Sequence, residues 1–182
     1  PLLEHHRDEP AHPFRPYGAT VGHGLEWARL LLSVDATLES SAPAGLRSAA
    51  LSLFDRAVAD GWGADGAVGF VYTTDWSGTP VVRERMHWVV AEALNAAEAL
   101  SQVTGTPSYQ DQIATWWQYA DTYLVDHERG SWRHELDIAN QPAATVWPGK
   151  PDVYHAYQAA LLPELPLTPS FASALALNGG LR

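Results

Sequence analysis

The chain of 182 residues contains no cysteine, which excludes disulfides, thiolate zinc sites and catalysis by a cysteine nucleophile. Basic residues are few, and the net charge of −10 argues against nucleic acid or an anionic membrane as a partner. No apolar run approaches the roughly 20 residues that span a bilayer, and the N-terminus shows no signal-peptide pattern. We therefore expect a cytoplasmic protein that binds neither membrane nor nucleic acid.

The composition predicts one folded domain. Hydrophobic residues make up 46% of the chain and charged residues 18%, which is typical of a globular protein with a real core. Eight tryptophans and seven tyrosines are many for this length. Such a content suits a cleft for sugar rings, although an aromatic core is the more common explanation.

Three histidines recur at nearly even spacing. His23, His87 and His155 lie 64 and 68 residues apart, each near the start of a segment that predicts a mostly apolar helix. Any one of them could be a cap or a buried, hydrogen-bonded core residue. A repeated helical unit that presents a histidine at the same end each time would gather all three around one axis.

The helical pattern alternates between two kinds of segment. Residues 22–38 and 84–103 are apolar nearly all round, as is the shorter 152–162, which predicts helices buried on most sides. Residues 44–60 and 108–125 carry a single apolar stripe, which predicts outer helices. Thr20 and Asp152 are predicted caps, and residues 170–177 suit a last short helix.

The connections between the helix pairs are also alike. Residues 61–82, with a turn at 75–78, and residues 127–147, with a turn near 140–142, predict short β-hairpins. A unit of inner helix, outer helix and hairpin builds an α/α toroid, of which about two and a half units are present. Residues 1–20 read as an irregular loop and residues 163–182 as a tail; His5, His6 and His12 lack regular metal-ligand spacing.

These residues suggest acid–base chemistry on a sugar. His23 and His155, facing each other across a pocket, would titrate near neutral pH, as two-sided proton transfer requires. Glu26, three residues after His23, can orient it or hold a hydroxyl. Trp88 and Glu92, four residues apart, combine a ring platform with an acceptor. The structural alternatives are an ion pair of Glu26 with Arg29 and a core position for Trp88.

Arg15, just ahead of the first inner helix, could polarise a carbonyl oxygen or an enediolate. The structural alternative is an ion pair with the acidic residues of the N-terminal loop.

Three segments resemble the N-acylglucosamine 2-epimerase superfamily, and most of all its mannose isomerase and sulfoquinovose isomerase branch. They read Pro-Tyr-Gly-Ala-Thr-Val-Gly-His-Gly-Leu-Glu-Trp-Ala-Arg-Leu at 16–30, Arg-Met-His-Trp-Val-Val-Ala-Glu-Ala at 85–93, and Lys-Pro-Asp-Val-Tyr-His-Ala-Tyr-Gln at 150–158. Their order and spacing match the C-terminal half of that family along essentially the whole chain.

The resemblance implies an all-α (α/α)6 barrel, of which residues 1–182 form about half, and chemistry at C1 and C2 of a free sugar without metal or cofactor. It implies that His23 and His155 are the acid/base pair, and that four residues shape the substrate site: Arg15, Glu26, Trp88 and Glu92. His87, a further substrate-binding candidate, matches a position that is often aromatic in relatives. The partners expected are the sugar and the N-terminal half of the barrel, in a monomer or a homodimer.

Several functions remain open at this point. The first is an aldose–ketose isomerase of the mannose/fructose type that works through a cis-enediol. The same residues would serve a 2-epimerase acting on N-acylglucosamine, mannose or cellobiose. A glycoside hydrolase or lyase would instead rely on carboxylates such as Glu26 and Glu92. The half-barrel could also be an inactive carbohydrate-binding or assembly module.

Overall fold

The computed structural model describes residues 7–177, which form six helices and six short strands. His5 and His6 therefore lie outside the described residues, as does the end of the predicted tail. The helices are α1 (Val21–Leu38), α2 (Leu46–Gly61), α3 (His87–Thr104), α4 (Ser108–Tyr119), α5 (Tyr154–Leu161) and α6 (Phe171–Leu177). Each predicted helix is present, with its bounds shifted by a few residues.

The helices form an inner and an outer layer, as their sequence patterns predicted. The inner helix α3 packs against α1 on one side and α5 on the other, while α2 and α4 lie behind α1 and α3. Twelve of the 18 residues of α3 are buried, because this helix meets neighbours on nearly every side. The predicted fold class, part of a helical toroid with short hairpins, is confirmed.

Two small antiparallel sheets connect the helix pairs. The first contains β1 (Ala19–Thr20), β2 (Thr73–Thr74) and β3 (Pro80–Val82) in that order. The second contains β4 (Arg85–Met86), β5 (Glu135–Leu136) and β6 (Pro142–Ala143). Both predicted hairpins are thus confirmed, but each has a third strand that the sequence did not reveal.

The third strand of each sheet joins the start of a helix–helix–hairpin unit to its end. In both sheets the strand just before an inner helix pairs with the hairpin that follows the outer helix. One further bond repeats: the backbone N–H of Val21 donates to the Tyr72 carbonyl, and that of His87 donates to the His134 carbonyl, both at 3.1 Å. Because of this bond, the residue before each hairpin lies beside the N-terminus of the inner helix of its own unit.

Three local expectations need correction or refinement. Thr20 makes no side-chain cap, and α1 begins one residue earlier than predicted, since β1 leads directly into it. The Asp152 carboxylate does accept the backbone N–H groups of Tyr154 and His155, at 3.1 and 3.4 Å. The predicted helix 108–125 ends in a π-helical turn, Ala120–Leu124.

No helix among residues 7–177 is long and apolar enough to cross a membrane.

Candidate active site

A cleft of about 480 Å³ opens at the N-terminal ends of the three inner helices. The three histidines meet there, although they do not occupy equivalent positions: His87 is the first residue of its helix, His155 the second and His23 the third. Their recurrence therefore reflects a shared end of the toroid rather than a repeated residue. The wall also contains residues of the loops and hairpins, namely Pro13, Phe14, Pro16, Thr20, Tyr72, His134, Trp147 and Asp152.

Trp88 separates the two histidines that were predicted to be catalytic. Its indole centroid lies 5.3 Å from the His23 ring and 5.8 Å from the His155 ring, and it lies edge-to-face with Tyr72. The indole fits because Gly22, beneath it on α1, has no side chain: a Cβ there would stand 2.3 Å from Cζ3 of Trp88. Trp88 is thus a wall between His23 and His155 that also lines the cleft.

His155 is held by a buried carboxylate. Its Nδ1 lies 3.2 Å from Oε1 of Glu92, and the Arg29 Nε donates to the other oxygen of Glu92, also at 3.2 Å. Burial alone would raise the pKa of Glu92, but the hydrogen bond from His155 and the charge of Arg29 outweigh it and lower that pKa. Glu92 is therefore ionised, so it accepts the proton of His155 Nδ1 and leaves Nε2 free.

This geometry changes two interpretations made from the sequence. Glu92 was expected to accept a sugar hydroxyl, but it is 1% exposed, both its oxygens are engaged, and it is absent from the cleft wall. Arg29, the alternative partner for Glu26, is paired with Glu92 instead. Glu26 remains half-buried in the cleft wall, close to His23.

The two remaining candidates, Arg15 and His87, differ in their position relative to the cleft. The Arg15 side chain is 59% exposed, 3.9 Å from Glu9, and does not line the cleft, so its predicted role stays a prediction. His87 borders the cleft, but its ring is fully buried against the rings of His134 and His155. Burial, with help from these two neighbouring histidines, lowers the pKa of His87 to about 3, so its ring is neutral.

The structure adds residues that sequence reasoning missed. Tyr72 and His134 line the cleft from equivalent places, each just before a hairpin. Trp147 lines it from the loop that follows the second hairpin. The only available signal was the recurrence of a bulky polar aromatic residue before each hairpin, and that signal acquires meaning only when the third strand of each sheet is known.

A buried ion pair holds β4, the strand that leads directly into α3. Arg85 and Asp65 form a buried two-point ion pair, with N–O distances of 2.7 and 2.9 Å, which ties β4 to the loop after α2.

Among residues 7–177 no group of three histidine, aspartate or glutamate side chains is placed to hold a metal ion.

Comparison with known proteins identifies the family of the chain. Residues 1–159 match the model of the N-acylglucosamine 2-epimerase (GlcNAc 2-epimerase) family. The chain belongs to this family. It is 58% identical over 180 residues to a D-mannose isomerase of Thermobifida fusca and 51% identical over 179 residues to one of Pseudomonas cannabina pv. alisalensis. These alignments cover 98% and 97% of the chain but only 44% and 43% of the relatives, so the chain spans less than half their length.

Solved structures place the fold in the same group. A crystal structure of D-mannose isomerase superposes with a TM-score of 0.79 at 30% identity, over 88% of this chain and 40% of that one. The structure of cellobiose 2-epimerase from Spirochaeta thermophila superposes with a TM-score of 0.65 at 24% identity, over 82% of this chain and 38% of that one, and supports the fold alone. The family assignment inferred from the three sequence segments is confirmed.

Proposed function

We propose that the complete protein is an aldose–ketose isomerase that interconverts mannose and fructose, and that this chain supplies its acid–base residues. The observation that carries the proposal is the hydrogen bond between His155 and the ionised, buried Glu92 beside the cleft. Such a pair fixes the histidine tautomer in which Nε2 carries no proton, and that nitrogen can act as the base. The identity of the sugar is taken from the relatives, which are named D-mannose isomerases.

In the proposed reaction, the Nε2 of His155 removes the proton from C2 of the open-chain aldose. The electron pair left at C2 forms the C1–C2 double bond of a cis-enediol as the C1 carbonyl oxygen gains a proton. Loss of the O2 proton then forms the C2 carbonyl, and C1 takes up a proton from His155 to give the ketose. Return of that proton to the opposite face of C2 would instead give the 2-epimer.

His23 lies on the other side of Trp88, and we assign it the opening of the sugar ring. It is exposed to the cleft, so its imidazole can exchange a proton with the ring oxygen and the C1 hydroxyl. Glu26, in the same wall, suits the binding of a substrate hydroxyl. Arg15 keeps its proposed place at the enediolate in the complete barrel.

The other half of the ring is part of this proposal. Helix α1 leaves Trp27, Val34 and Leu38 exposed along one side, at spacings of seven and four residues. Such a stripe suits packing against a neighbouring helix of the same toroid. We therefore expect this 182-residue chain to be inactive alone and to need the N-terminal half. A cytoplasmic location and a monomer or homodimer remain predictions.

One experiment separates the candidate functions. The full-length protein is incubated with mannose in D₂O, and the products are followed by NMR. We expect fructose carrying some solvent deuterium at C1. Glucose labelled at C2 would identify a 2-epimerase, and unchanged mannose would contradict both assignments and favour a hydrolase, a lyase or a binding module.

A further inference from the structure

Arg29 is a charged side chain that the proposed proton transfers do not use. It lies on α1, does not line the cleft, and is 16% exposed. Its Nε donates to Oε2 of Glu92 at 3.2 Å, while Oε1 of the same carboxylate lies 3.2 Å from Nδ1 of His155. The inner helices α1, α3 and α5 thus each supply one side chain to a hydrogen-bonded series that ends at the proposed base.

Arg29 also borders a second cavity, of about 100 Å³, which residues 165–171 line on one side. The helices give this cavity mostly polar side chains, namely Ser33, Asn95, Glu98, Gln102 and Gln158. Arginine stays protonated in proteins, and polar surroundings lower the cost of keeping its charge in the interior. Arg29 therefore brings a permanent positive charge to the buried side of Glu92.

The net charge of this buried group determines how readily it takes up a proton. With Arg29 positive, Glu92 ionised and His155 in its neutral form, the three charges cancel. Without Arg29 the group would carry a net negative charge around Glu92, which is 1% exposed, and uptake of a proton would restore neutrality. The two coupled residues titrate as a pair, so this holds whichever of them receives the proton.

Other ionisable side chains surround His155 and do not replace the charge of Arg29. Those in the cleft wall are His23, Glu26, Tyr72, His87, His134, Asp152 and Tyr154. The carboxylates of Glu26 and Asp152 favour protonation of the pair. Burial lowers the pKa of His87 to about 3 and raises the pKa of Tyr154, so both rings, 5.8 and 3.9 Å from that of His155, are neutral. Of the residues named here, Arg29 alone is permanently positive.

We infer that Arg29 is a positioning residue of the reaction: its charge, acting through Glu92, keeps the His155–Glu92 pair free of a solvent proton at neutral pH, so that Nε2 of His155 can take the proton from C2. The inference rests on the proposed function for the role of His155. A purely structural ion pair would stabilise the fold and leave the pH dependence of turnover unchanged.

The test compares Arg29→Gln with Arg29→Lys in the full-length protein. Glutamine keeps an N–H donor for Glu92 without the charge, and lysine keeps the charge without the guanidinium group. We expect the acid limb of the kcat/KM profile for mannose to move to higher pH by about one pH unit or more in Arg29→Gln, and by much less in Arg29→Lys. The activity that Arg29→Gln loses below the limb should return above it, because only the protonated pair is inactive.

Arg47→Gln is the matched control, because Arg47 is 63% exposed and pairs with Asp35. It should leave the profile unchanged. An equal loss of activity at every pH in Arg29→Gln, or an equal displacement of the limb in Arg29→Lys, would overturn the inference.

A second comparison decides if Arg29→Gln does not fold. In Glu92→Gln, adding Arg29→Gln turns both members of the ion pair into neutral amides. The titration of the His155 ring, followed by NMR, should then move to higher pH relative to Glu92→Gln alone, because a positive charge has been removed. An unchanged titration would overturn the inference.

The NMR titration needs no turnover, so it keeps the two proposals apart. If Arg29→Gln moves the titration of His155 but the wild type does not convert mannose, the isomerase assignment fails and the effect of Arg29 on the pair stands. If the wild type converts mannose while Arg29→Gln moves neither the titration nor the acid limb, the inference about Arg29 fails and the isomerase assignment stands.

Discussion

The indole of Trp88 lies over Gly22, on the neighbouring inner helix, at a distance that leaves no room for a side chain. A methyl group on Gly22 would stand 2.3 Å from Cζ3 and 2.5 Å from Cη2 of Trp88. The two positions are equivalent in their repeats, since each is the second residue of its helix. One repeat supplies the ring and the other supplies the space, so the distance from His23 to His155 depends on a glycine that makes no chemical contribution.

We therefore expect Gly22→Ala to displace Trp88 and disturb the cleft. The free energy of unfolding should fall by about 1–3 kcal/mol from overpacking, and kcat should fall about 10²-fold because His23 and His155 lose their spacing. Gly24→Ala is the control on the same helix, where a Cβ would meet Ala57 Cβ at 3.2 Å and the Leu53 carbonyl oxygen at 3.7 Å. Equal effects of the two substitutions, measured by urea unfolding and mannose turnover, would contradict this account.

The carboxylate of Glu92 should be needed for the chemical step rather than for binding. Glu92→Gln keeps the shape but removes the charge that fixes the tautomer of His155, so we expect kcat to fall about 10²- to 10⁴-fold. KM should change little, because Glu92 does not line the cleft. The measurement is steady-state kinetics with mannose in the full-length protein. A rise in KM at constant kcat would instead indicate direct contact with the sugar.

Substitution of His23 and of His155 should have the same effect on activity. We expect His23→Asn and His155→Asn each to lower turnover by about 10² to 10⁴ while mannose still binds. His127→Asn, at an exposed histidine that contacts Asp121 and does not line the cleft, should be neutral. Calorimetric binding and turnover are measured on all three. Near-wild-type activity in either His23→Asn or His155→Asn would remove that residue from the acid–base pair.

The ion pair of Asp65 with Arg85 should make the free energy of unfolding depend on pH in the acid range. Burial alone would raise the pKa of Asp65, but its bonds to Arg85 lower that pKa from 3.8 to about 2. The stabilisation is therefore complete above about pH 4 and is lost as the pH falls toward 2. At neutral pH, Asp65→Asn should lower the free energy of unfolding by about 3–5 kcal/mol, because Arg85 is left buried without its partner.

The difference between wild type and Asp65→Asn should narrow as the pH falls from 4 toward 2, since the wild type then loses the same contribution. Urea unfolding at several pH values measures it, with Asp121→Asn, an exposed position, as the control. A difference that does not vary with pH would mean that Asp65 is not charged in the folded protein.

The local sequence determined the secondary-structure elements of this protein, its helices and its hairpins. Apolar residues all round 22–38 and 84–103 require burial on every side, and a single stripe at 44–60 requires one buried face, so inner and outer helices follow from hydrophobic periodicity alone. The turn residues at 75–78 determined the first hairpin. The histidines near the helix starts pointed to the correct end of the toroid, because a residue at a helix N-terminus stays there however the helix packs.

The tertiary structure decided which side chains reach the cleft. The rotation of α3 about its axis turns Glu92 away from the cleft, toward Arg29 and His155. The four-residue spacing from Trp88 to Glu92 carries no information about that rotation, so the sequence alone predicted that Glu92 would accept a sugar hydroxyl. Tyr72, His134 and Trp147 enter the site through strand pairing and through the hydrogen bonds of Glu135. These contacts join residues far apart in sequence or in irregular loops, where no periodicity marks them, so only the folded chain brings them together.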